Sequence, residues 1–264
     1  MLFSFDPLAT LSGTLVGFVL GLIGGGGSVL AVPLLVYVVG VQSPHIAIGT
    51  SAVAVALSAL AGLIGHARQN KVKWPCALVF ASAGVVGAAI GSSLGKTFNG
   101  QHLLLLFGIL MVVIAAFMVF KKRADGNPDV CLNKTSAKSL LPLLLFNGSG
   151  VGLMSGFFGI GGGFLVVPGL MAATDMPLIF AIGSSLVSVV AFGTTTAFNY
   201  ALSGLVDWPL AAWFIVGGIV GGVFGRRLAT ALAPHKSLLT QVFAFIIAVV
   251  GSYVIVRGWQ NLGG

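Results

Sequence analysis

The chain has 264 residues, of which 57% are hydrophobic and 7% are charged, and its mean hydropathy is +1.09. This composition excludes an ordinary soluble domain and predicts an integral membrane protein surrounded by lipid, because apolar runs of about 18 or more residues recur along the sequence. The net charge of +8 does not indicate a nucleic-acid partner, since all 13 Lys and Arg residues flank apolar segments, as they do in membrane-protein loops.

The apolar segments form two groups of four, separated by a polar stretch. The first group covers roughly 8–40, 46–66, 75–95 and 102–120, and the second covers roughly 140–173, 178–203, 209–230 and 237–257. We therefore predict an all-α polytopic membrane protein with three parts. These are a transmembrane repeat one (1–120), a cytoplasmic linker (121–139) and a transmembrane repeat two (140–264).

Two glycine-rich motifs mark the first segments of the two groups as copies of one another. GLIGGGGSVLAVP at 21–33 and GFFGIGGGFLVVP at 156–168 share four glycines and the final proline at an offset of 135. Further along, AIGTSAV at 47–53 matches AIGSSLV at 181–187, and two Trp-Pro pairs match at the same offset of 134. The two groups are therefore versions of one structural unit.

The first segment of each repeat is too long for one membrane crossing. As a continuous helix at 1.5 Å per residue, residues 8–40 would reach ~50 Å, against a hydrocarbon core of ~30 Å. Because the glycines divide the segment into two pieces of about half-membrane length, we predict a re-entrant hairpin followed by three transmembrane helices in each repeat. Three crossings per repeat make the repeats inverted, with both termini outside. The alternative is eight full spans.

The positive charges favour the inverted arrangement. Eight full spans would place nine Lys and Arg residues inside and four outside, whereas six spans and two hairpins place 11 inside and two outside. Cytoplasmic loops of membrane proteins carry an excess of Lys and Arg, so the second distribution is the expected one.

The hairpin tips are the predicted substrate site. If both tips reach the membrane centre, the outgoing half-helices begin near Ser28 and Gly163, and their N-terminal N–H groups and positive dipole ends bind an anion without a buried Lys or Arg. The alternative is that the glycines only let helices pack closely. The tip residues expected to contact substrate are Gly24, Gly26, Gly27, Ser28, Gly159, Gly161, Gly162 and Gly163.

Two pairs of hydroxyl residues at equivalent positions extend this candidate site. Thr50 and Ser51 of repeat one correspond to Ser184 and Ser185 of repeat two, and hydroxyls are uncharged donors suited to an anion. A run of three threonines at 194–196 follows two to three turns later. The alternative role of all these side chains is to bond to helix carbonyls or to join helices.

Two further polar residues each have two interpretations. Asn199 lies within an apolar helix, where it would either line the substrate pathway or bond a neighbouring helix. His66 ends the second segment beside Arg68 and is a candidate for proton coupling, against a structural role at a helix end.

Acidic residues are scarce, which bears on the substrate. The chain has no Glu, and its five Asp residues lie in loops or termini. A cation pump or carboxylate relay places an acid within the membrane, so we expect an anionic substrate. The sequence has no metal-ligand spacing, nucleotide-binding loop or nucleophile–base pairing, and we expect no metal, no cofactor and no enzymatic activity.

The glycine motifs, each followed by IGTSA (48–52) or IGSSL (182–186), and the Trp-Pro pairs resemble the sulfite exporter TauE/SafE family over nearly the whole chain. The resemblance implies an integral transporter of the bacterial inner membrane that handles sulfite or organosulfonates. We therefore predict a secondary transporter that exports a small sulfur-containing anion, sulfite or an organosulfonate such as sulfoacetate, by alternating access. An anion channel and a non-transporting membrane scaffold are the alternatives, and the sequence leaves open whether the protein is a homo-oligomer.

Overall fold

The computed structural model describes residues 6–23, 25–120, 136–231 and 236–263 of the chain. Gly24 and residues 121–135, which include most of the predicted linker, lie outside the described residues. Within the described ranges the protein is helical, with ten α helices and one 3₁₀ helix. They are α1 (Pro7–Ile23), the 3₁₀ helix (Gly25–Leu30), α2 (Ala31–Tyr37), α3 (Pro44–Ala67), α4 (Trp74–Thr97), α5 (Gly100–Phe120), α6 (Ala137–Phe158), α7 (Gly163–Thr174), α8 (Leu178–Leu202), α9 (Trp208–Ala231) and α10 (Lys236–Gly263).

Prolines and aspartates define where several helices begin. Pro44 and Pro75 lie in the first turns of α3 and α4, where a missing N–H costs no intrahelical hydrogen bond. Asp6 Oδ1 accepts hydrogen bonds from two backbone N–H groups in the first turn of α1 (3.0 Å each), and Asp207 Oδ1 accepts one at the start of α9 (3.1 Å). Both aspartates therefore serve as N-caps, a role that places an acid at a helix end rather than in its interior.

Helices of one half pack against helices of the other half through glycine faces. Every fourth residue of α1 from Gly13 to Gly21 is a glycine that lies against the backbone of α9, and the equivalent glycines of α6, from Gly148 to Gly156, lie against α4. A Cβ at any of these positions would overlap a carbonyl group of the partner helix, so only glycine permits this approach. The contacts advance in the same sense along both helices, so α1 is parallel to α9 and α6 is parallel to α4.

A central antiparallel pair, α3 and α8, links the two halves. Gly193 of α8 faces Ala56 near the middle of α3, whereas Gly49 near the beginning of α3 faces Tyr200 near the end of α8. The pair lies between the other helix pairs, because α3 also contacts α9 and α8 also contacts α4. α5 and α10 form a further pair with each other.

Contacts along the helices establish their directions. Thr50 and Ala61 of α3 contact Asp207 and Arg226 at the start and end of α9 in the same order, so α3 and α9 are parallel. In the same way, Ser184 and Asn199 of α8 contact Lys73, just before α4, and Ser92, near the end of α4, so α4 and α8 are parallel. Helices α1, α3 and α9 therefore point one way, and α4, α6 and α8 point the other way.

Both glycine motifs reverse the direction of the chain. α6 ends at Phe158, and the next residue, Gly159, has a left-handed backbone (φ 67°) and donates its N–H to the Gly156 carbonyl (3.2 Å). α7 then returns alongside α6, where Gly169 lies next to Val151. In the first motif, Gly27 lies against the backbone of Leu20, so the 3₁₀ helix and α2 return along α1 in a similar way.

The incoming arm of the second hairpin is longer than predicted. α6 has 22 residues and is long and apolar enough to cross a membrane, as are α3, α4, α8 and Trp208–Leu228 of α9. The prediction of two half-membrane pieces in 140–173 is therefore wrong for the first piece, whereas α7, with 12 residues, has about half-membrane length. The reason is that the glycines within α6 pack against α4 without breaking the helix, which ends only where the backbone becomes left-handed.

The outward faces of the bundle are apolar. Phe146 of α6 is 81% exposed, and Phe245 and Trp259 of α10 are 70% and 72% exposed. Trp74 and Trp208, at equivalent positions at the starts of α4 and α9, are also exposed, as aromatic residues are at membrane interfaces. A surface of this kind requires lipid around it, and the architecture is that of a polytopic membrane protein.

Candidate functional site

The second glycine tip lies at the middle of the central helix pair. A Cβ built at Gly161 would lie 3.1 Å from Val55 Cγ1 of α3 and 3.7 Å from Val189 Cγ1 of α8. A Cβ built at Gly162 would lie 3.1 Å from the ring of Phe192 of α8. The 3₁₀ helix of the first tip contacts both α7 and α8. The two tips therefore pack against each other beside the central pair.

The second tip presents the beginning of a helix. Gly161 and Gly162 have left-handed backbone angles (φ 66° and 72°), which glycine adopts without strain. α7 begins at Gly163, as predicted, and the Gly162 carbonyl accepts hydrogen bonds from the N–H groups of Leu165 and Val166 (2.9 Å each). The first N–H groups of an α helix have no intrahelical carbonyl to which they can donate. The partial positive charge of the start of α7 therefore lies at the tip.

The first tip has a different backbone. The outgoing half-helix expected near Ser28 starts as a 3₁₀ helix at Gly25, and α2 continues it from Ala31 to Tyr37. Gly26, Gly27 and Ser28 are buried in this segment. The outgoing helical arm therefore begins near Ser28, as predicted, but its first turns are the tighter turns of a 3₁₀ helix.

Ser51 and Ser185 flank the tips along the central helices. Each lies four residues, about one helical turn, before a valine that contacts Gly161, and because α3 and α8 are antiparallel the two serines lie on opposite sides of the tips. The Ser51 hydroxyl donates to the Ile48 carbonyl (2.9 Å), and the Ser185 hydroxyl donates to the Ile182 carbonyl (2.8 Å). In this conformation both hydroxyl protons are used within their own helices.

Thr50 and Ser184 hold loops of the opposite half. Thr50 Oγ1 accepts a hydrogen bond from the Asp207 N–H (3.0 Å), and Ser184 Oγ accepts one from the Lys73 N–H (2.9 Å). Thr50 corresponds to Ser184 in the repeat, and Lys73 corresponds to Asp207, so each bond is the counterpart of the other. These two hydroxyls therefore join the halves at two equivalent points.

Sequence reasoning missed two buried hydroxyls near the second tip. Ser155 of α6 and Ser188 of α8 are fully buried, and their hydroxyl oxygens have no hydrogen-bond partner within the described part of the chain. The same holds for Thr196, one of the three threonines singled out from the sequence, whereas Thr195 donates to the Ala191 carbonyl (2.8 Å). The one sequence signal for Ser155 is its position directly before the second glycine motif.

Asn199 connects α8 to α4. Its Nδ2 donates to Ser92 Oγ (2.6 Å) and Ser93 Oγ (2.9 Å), and its Oδ1 accepts from Lys96 Nζ (2.7 Å). Lys96 Nζ also donates to Ser203 Oγ (2.8 Å). Of the two roles considered for Asn199, the structure has the bond to a neighbouring helix. The sequence around Lys96, near the end of an apolar segment, does not indicate which residues of another helix it contacts, so its cluster with Asn199 was not predicted.

His66 lies away from the tips. It is 11 residues beyond Val55 on α3, which is roughly 16 Å along the helix. Arg226 of α9 lies near the same end of α3, where its guanidinium donates to the Ala61 carbonyl (3.2 Å). The structure does not bring His66 to the glycine tips, and its role in proton coupling stays a prediction.

The region around the tips suits an anion. It combines the positive end of α7 with buried hydroxyls, and the acidic residues of the described ranges lie at helix ends rather than in helix interiors. In the same ranges no three His, Cys, Asp or Glu side chains lie close enough together to hold a metal ion.

An all-helical bundle with an apolar surface and two glycine-rich tips packed together at its centre defines the class of the protein, which is that of polytopic membrane transporters. The model of the family described as sulfite exporter TauE/SafE matches residues 9–254. The chain belongs to the TauE/SafE family, which confirms the resemblance found in the glycine motifs.

Relatives across bacteria are similar to the chain over nearly its full length. A probable membrane transporter protein of Xylella fastidiosa strain Temecula1 is 53% identical over 258 residues, which cover 95% of each chain. The probable membrane transporter protein YunE of Bacillus subtilis strain 168 is 26% identical over 97% of this chain and 98% of its own. A probable membrane transporter protein of Haemophilus influenzae is 29% identical over 94% of this chain and 97% of its own. No solved structure matches the chain.

Proposed function

We propose that the protein is a secondary transporter that exports a small sulfur-containing anion, sulfite or an organosulfonate such as sulfoacetate, across the bacterial inner membrane by alternating access. One observation carries the proposal: the two glycine-rich tips pack against each other beside the middle of α3 and α8. Broken helices that meet at the centre of a membrane bundle form substrate sites in secondary transporters.

The repeats are inverted in this proposal. Three observations support inversion: α1, α3 and α9 are antiparallel to α4, α6 and α8, the glycine faces of α1 and α6 pack in equivalent registers, and the hydrogen bonds of Thr50 and Ser184 are exchanged between the halves. Alternating access then follows from rocking one half against the other around the tips.

The anion is held at the tips by dipoles and hydroxyl groups rather than by a buried cation. The start of α7 supplies partial positive charge, which favours an anion and is strongest where water is excluded. Export needs no coupling ion, since a negative-inside membrane potential expels an anion with about 2.3 kcal/mol per negative charge per 100 mV.

The family description supports sulfite or a related sulfur anion as the substrate. The pyramidal oxygens of sulfite and the sulfonate group of sulfoacetate present the same acceptors, so one site of N–H and O–H donors serves both. The charged cluster of Lys96 and Asn199 is satisfied within the protein and is not assigned a substrate role.

The proposal is tested with the purified protein in proteoliposomes. Uptake of sulfite, sulfoacetate, sulfate and thiosulfate is measured under a fixed membrane potential in oxygen-free buffer, with and without the same anion trapped inside. We expect saturable flux of sulfite or sulfoacetate that a trapped counter-substrate accelerates. Non-saturable flux without counterflow would indicate a channel instead, and flux of none of the four anions would overturn the proposal.

A further inference from the structure

We propose that the oxyanion group of the substrate is bound asymmetrically, at the second tip, by the start of α7 and the hydroxyl of Ser155, together with the hydroxyls of Ser188 and Thr196. The inference rests on the function proposed above and names binding residues within it. It assigns the first tip a packing role and assigns the polar contacts to repeat two.

Ser155 is the strongest element of this site. Its side chain is fully buried, and its hydroxyl has no hydrogen-bond partner among the described residues. A Cβ built at Gly162 would lie 2.7 Å from Ser155 Oγ, so the hydroxyl lies against the backbone that begins α7. The Ser155 hydroxyl therefore lies beside Gly162, the residue that precedes the start of α7.

Ser188 and Thr196 lie on α8 on either side of Phe192, whose ring lies beside Gly162. They are one helical turn before and one turn after Phe192, the residue that contacts Gly162, and a spacing of four residues places all three on one face of the helix. Both side chains are fully buried, and both hydroxyls have no partner in the described ranges. Ser155 thus lies against the tip, Ser188 and Thr196 lie on the face of α8 that carries Phe192, and none of the three hydroxyls has a partner among the described residues.

A buried hydroxyl without a partner is unfavourable, which makes three of them around one helix start informative. Folding removes their hydrogen bonds to water, and the described part of the chain supplies no replacement, whereas a bound oxyanion could accept from each of them. Native proteins satisfy nearly all buried polar groups, so the group that completes these three is expected to come from outside the chain.

Repeat one has no counterpart to these donors. The positions equivalent to Ser155, Ser188 and Thr196 are Leu20, Ala54 and Gly62. The outgoing arms of the two tips have similar lengths, but the first begins as a 3₁₀ helix (Gly25–Leu30) before α2, whereas the second is α-helical from Gly163. Both the hydroxyls and the regular helix start therefore lie in the second repeat.

The test compares hydroxyl deletions with matched controls on the same helices. The deletions are Ser155→Ala on α6 and Thr196→Val on α8, with Thr196→Ser as the variant that keeps the hydroxyl. The controls are Ser149→Ala, whose exposed hydroxyl donates to the Leu145 carbonyl, and Thr195→Val, whose hydroxyl donates to the Ala191 carbonyl. Binding of sulfite and of sulfoacetate, proteoliposome flux, and the melting temperature without anion are measured on each purified variant.

We expect Ser155→Ala and Thr196→Val to weaken anion binding by about ten- to a hundredfold, the usual effect of losing a hydrogen bond to a charged group. Their melting temperatures without anion should be unchanged or raised, because each substitution removes an unsatisfied polar atom. Thr196→Ser and both controls should bind as the wild type does.

Each other outcome overturns a defined statement. Wild-type affinity in both deletion variants, with transport intact, would overturn the asymmetric site and leave the proposed function standing. A lowered melting temperature with unchanged affinity in the folded protein would assign these hydroxyls to packing. A wild-type protein that neither binds nor transports any of the four anions would overturn the proposed function and this inference with it.

Discussion

At the level of single residues, the buried hydroxyls of the central helices fall into groups with different energetic roles. Ser51 and Ser185 donate within their own helices, and Thr50 and Ser184 accept from loops of the opposite half. Ser155 belongs to the group without a partner in the described part of the chain. Removal of an acceptor that satisfies a backbone N–H should cost stability, whereas removal of an unsatisfied hydroxyl should not.

Thr50→Val tests the loop-holding role. The substitution keeps the shape of the side chain but leaves the Asp207 N–H without its acceptor, so we expect a loss of about 1–2 kcal/mol in unfolding free energy and a lower melting temperature. Ser51→Ala is the neighbouring control, since its hydroxyl serves only a carbonyl that already accepts within the helix. Equal melting temperatures for the two variants would contradict the role assigned to Thr50.

At the level of elements, glycine has two separate uses in this protein. Along α1 and α6 it permits backbone contact with α9 and α4, and the helix continues through it. At Gly161 and Gly162 it permits a left-handed backbone, and the helix is interrupted. In the sequence the two uses look alike, because both are glycines in apolar surroundings. The contact with the neighbouring helix decides which use a given glycine has.

Comparing leucine substitutions at Gly152 and Gly150 of α6 distinguishes the effect of helix packing from that of helix propensity. A side chain at Gly152 would overlap the Gly84 carbonyl of α4, whereas nothing lies within 4 Å of a Cβ at Gly150. We expect Gly152→Leu to cost more than about 4 kcal/mol and to yield aggregated protein in size-exclusion chromatography. Gly150→Leu should fold normally and gain up to about 1 kcal/mol from its better helix propensity. Equal behaviour of the two variants would exclude close α4–α6 packing.

Comparing alanine substitutions at Gly162 and Gly204 distinguishes blockage of the tip from backbone strain. Both have left-handed angles (φ 72° and 68°), so alanine at either position costs about 1–2 kcal/mol. A Cβ at Gly162 enters the space beside Ser155, whereas a Cβ at Gly204 meets nothing within 4 Å. We expect Gly162→Ala to lose most anion flux in proteoliposomes and Gly204→Ala to retain it. Similar flux in both variants at equal protein incorporation would remove the second tip from the pathway.

At the level of the whole molecule, the two halves are interlocked rather than side by side. α1 of the first half packs on α9 of the second, and α6 of the second packs on α4 of the first. Each repeat therefore covers the glycine face of the other, and neither can bury its own face alone. Within the first half α1 and α4 are antiparallel, so the parallel partner of α1 comes from the second half, as α9. Opposite orientations of the two repeats in the membrane are consistent with this arrangement.

Labelling of single cysteines tests the orientation of the repeats. Gln69 and Ser203 are exposed at equivalent positions after α3 and α8, and inverted repeats place them on opposite sides of the membrane. In a Cys76→Ser, Cys131→Ser background, we expect Gln69→Cys to react with a membrane-impermeant maleimide from the cytoplasmic face and Ser203→Cys from the outer face. Reaction of both from one face would end the inverted-repeat proposal.

The sequence by itself determined the membrane class, the family, the internal repeat and the beginning of α7. These follow from composition and from motifs of neighbouring residues, so they need no knowledge of which helices touch. Only the tertiary structure decided that α6 continues through its glycines, that the first tip forms a 3₁₀ helix, and that Asn199 bonds to α4. Each of these depends on a partner more than 50 residues away in the chain or on backbone angles at the tip, and a glycine or a serine carries no local signal of either. The same reason explains why Ser155 and Ser188 became visible only once their surroundings showed that no group in the described protein satisfies them.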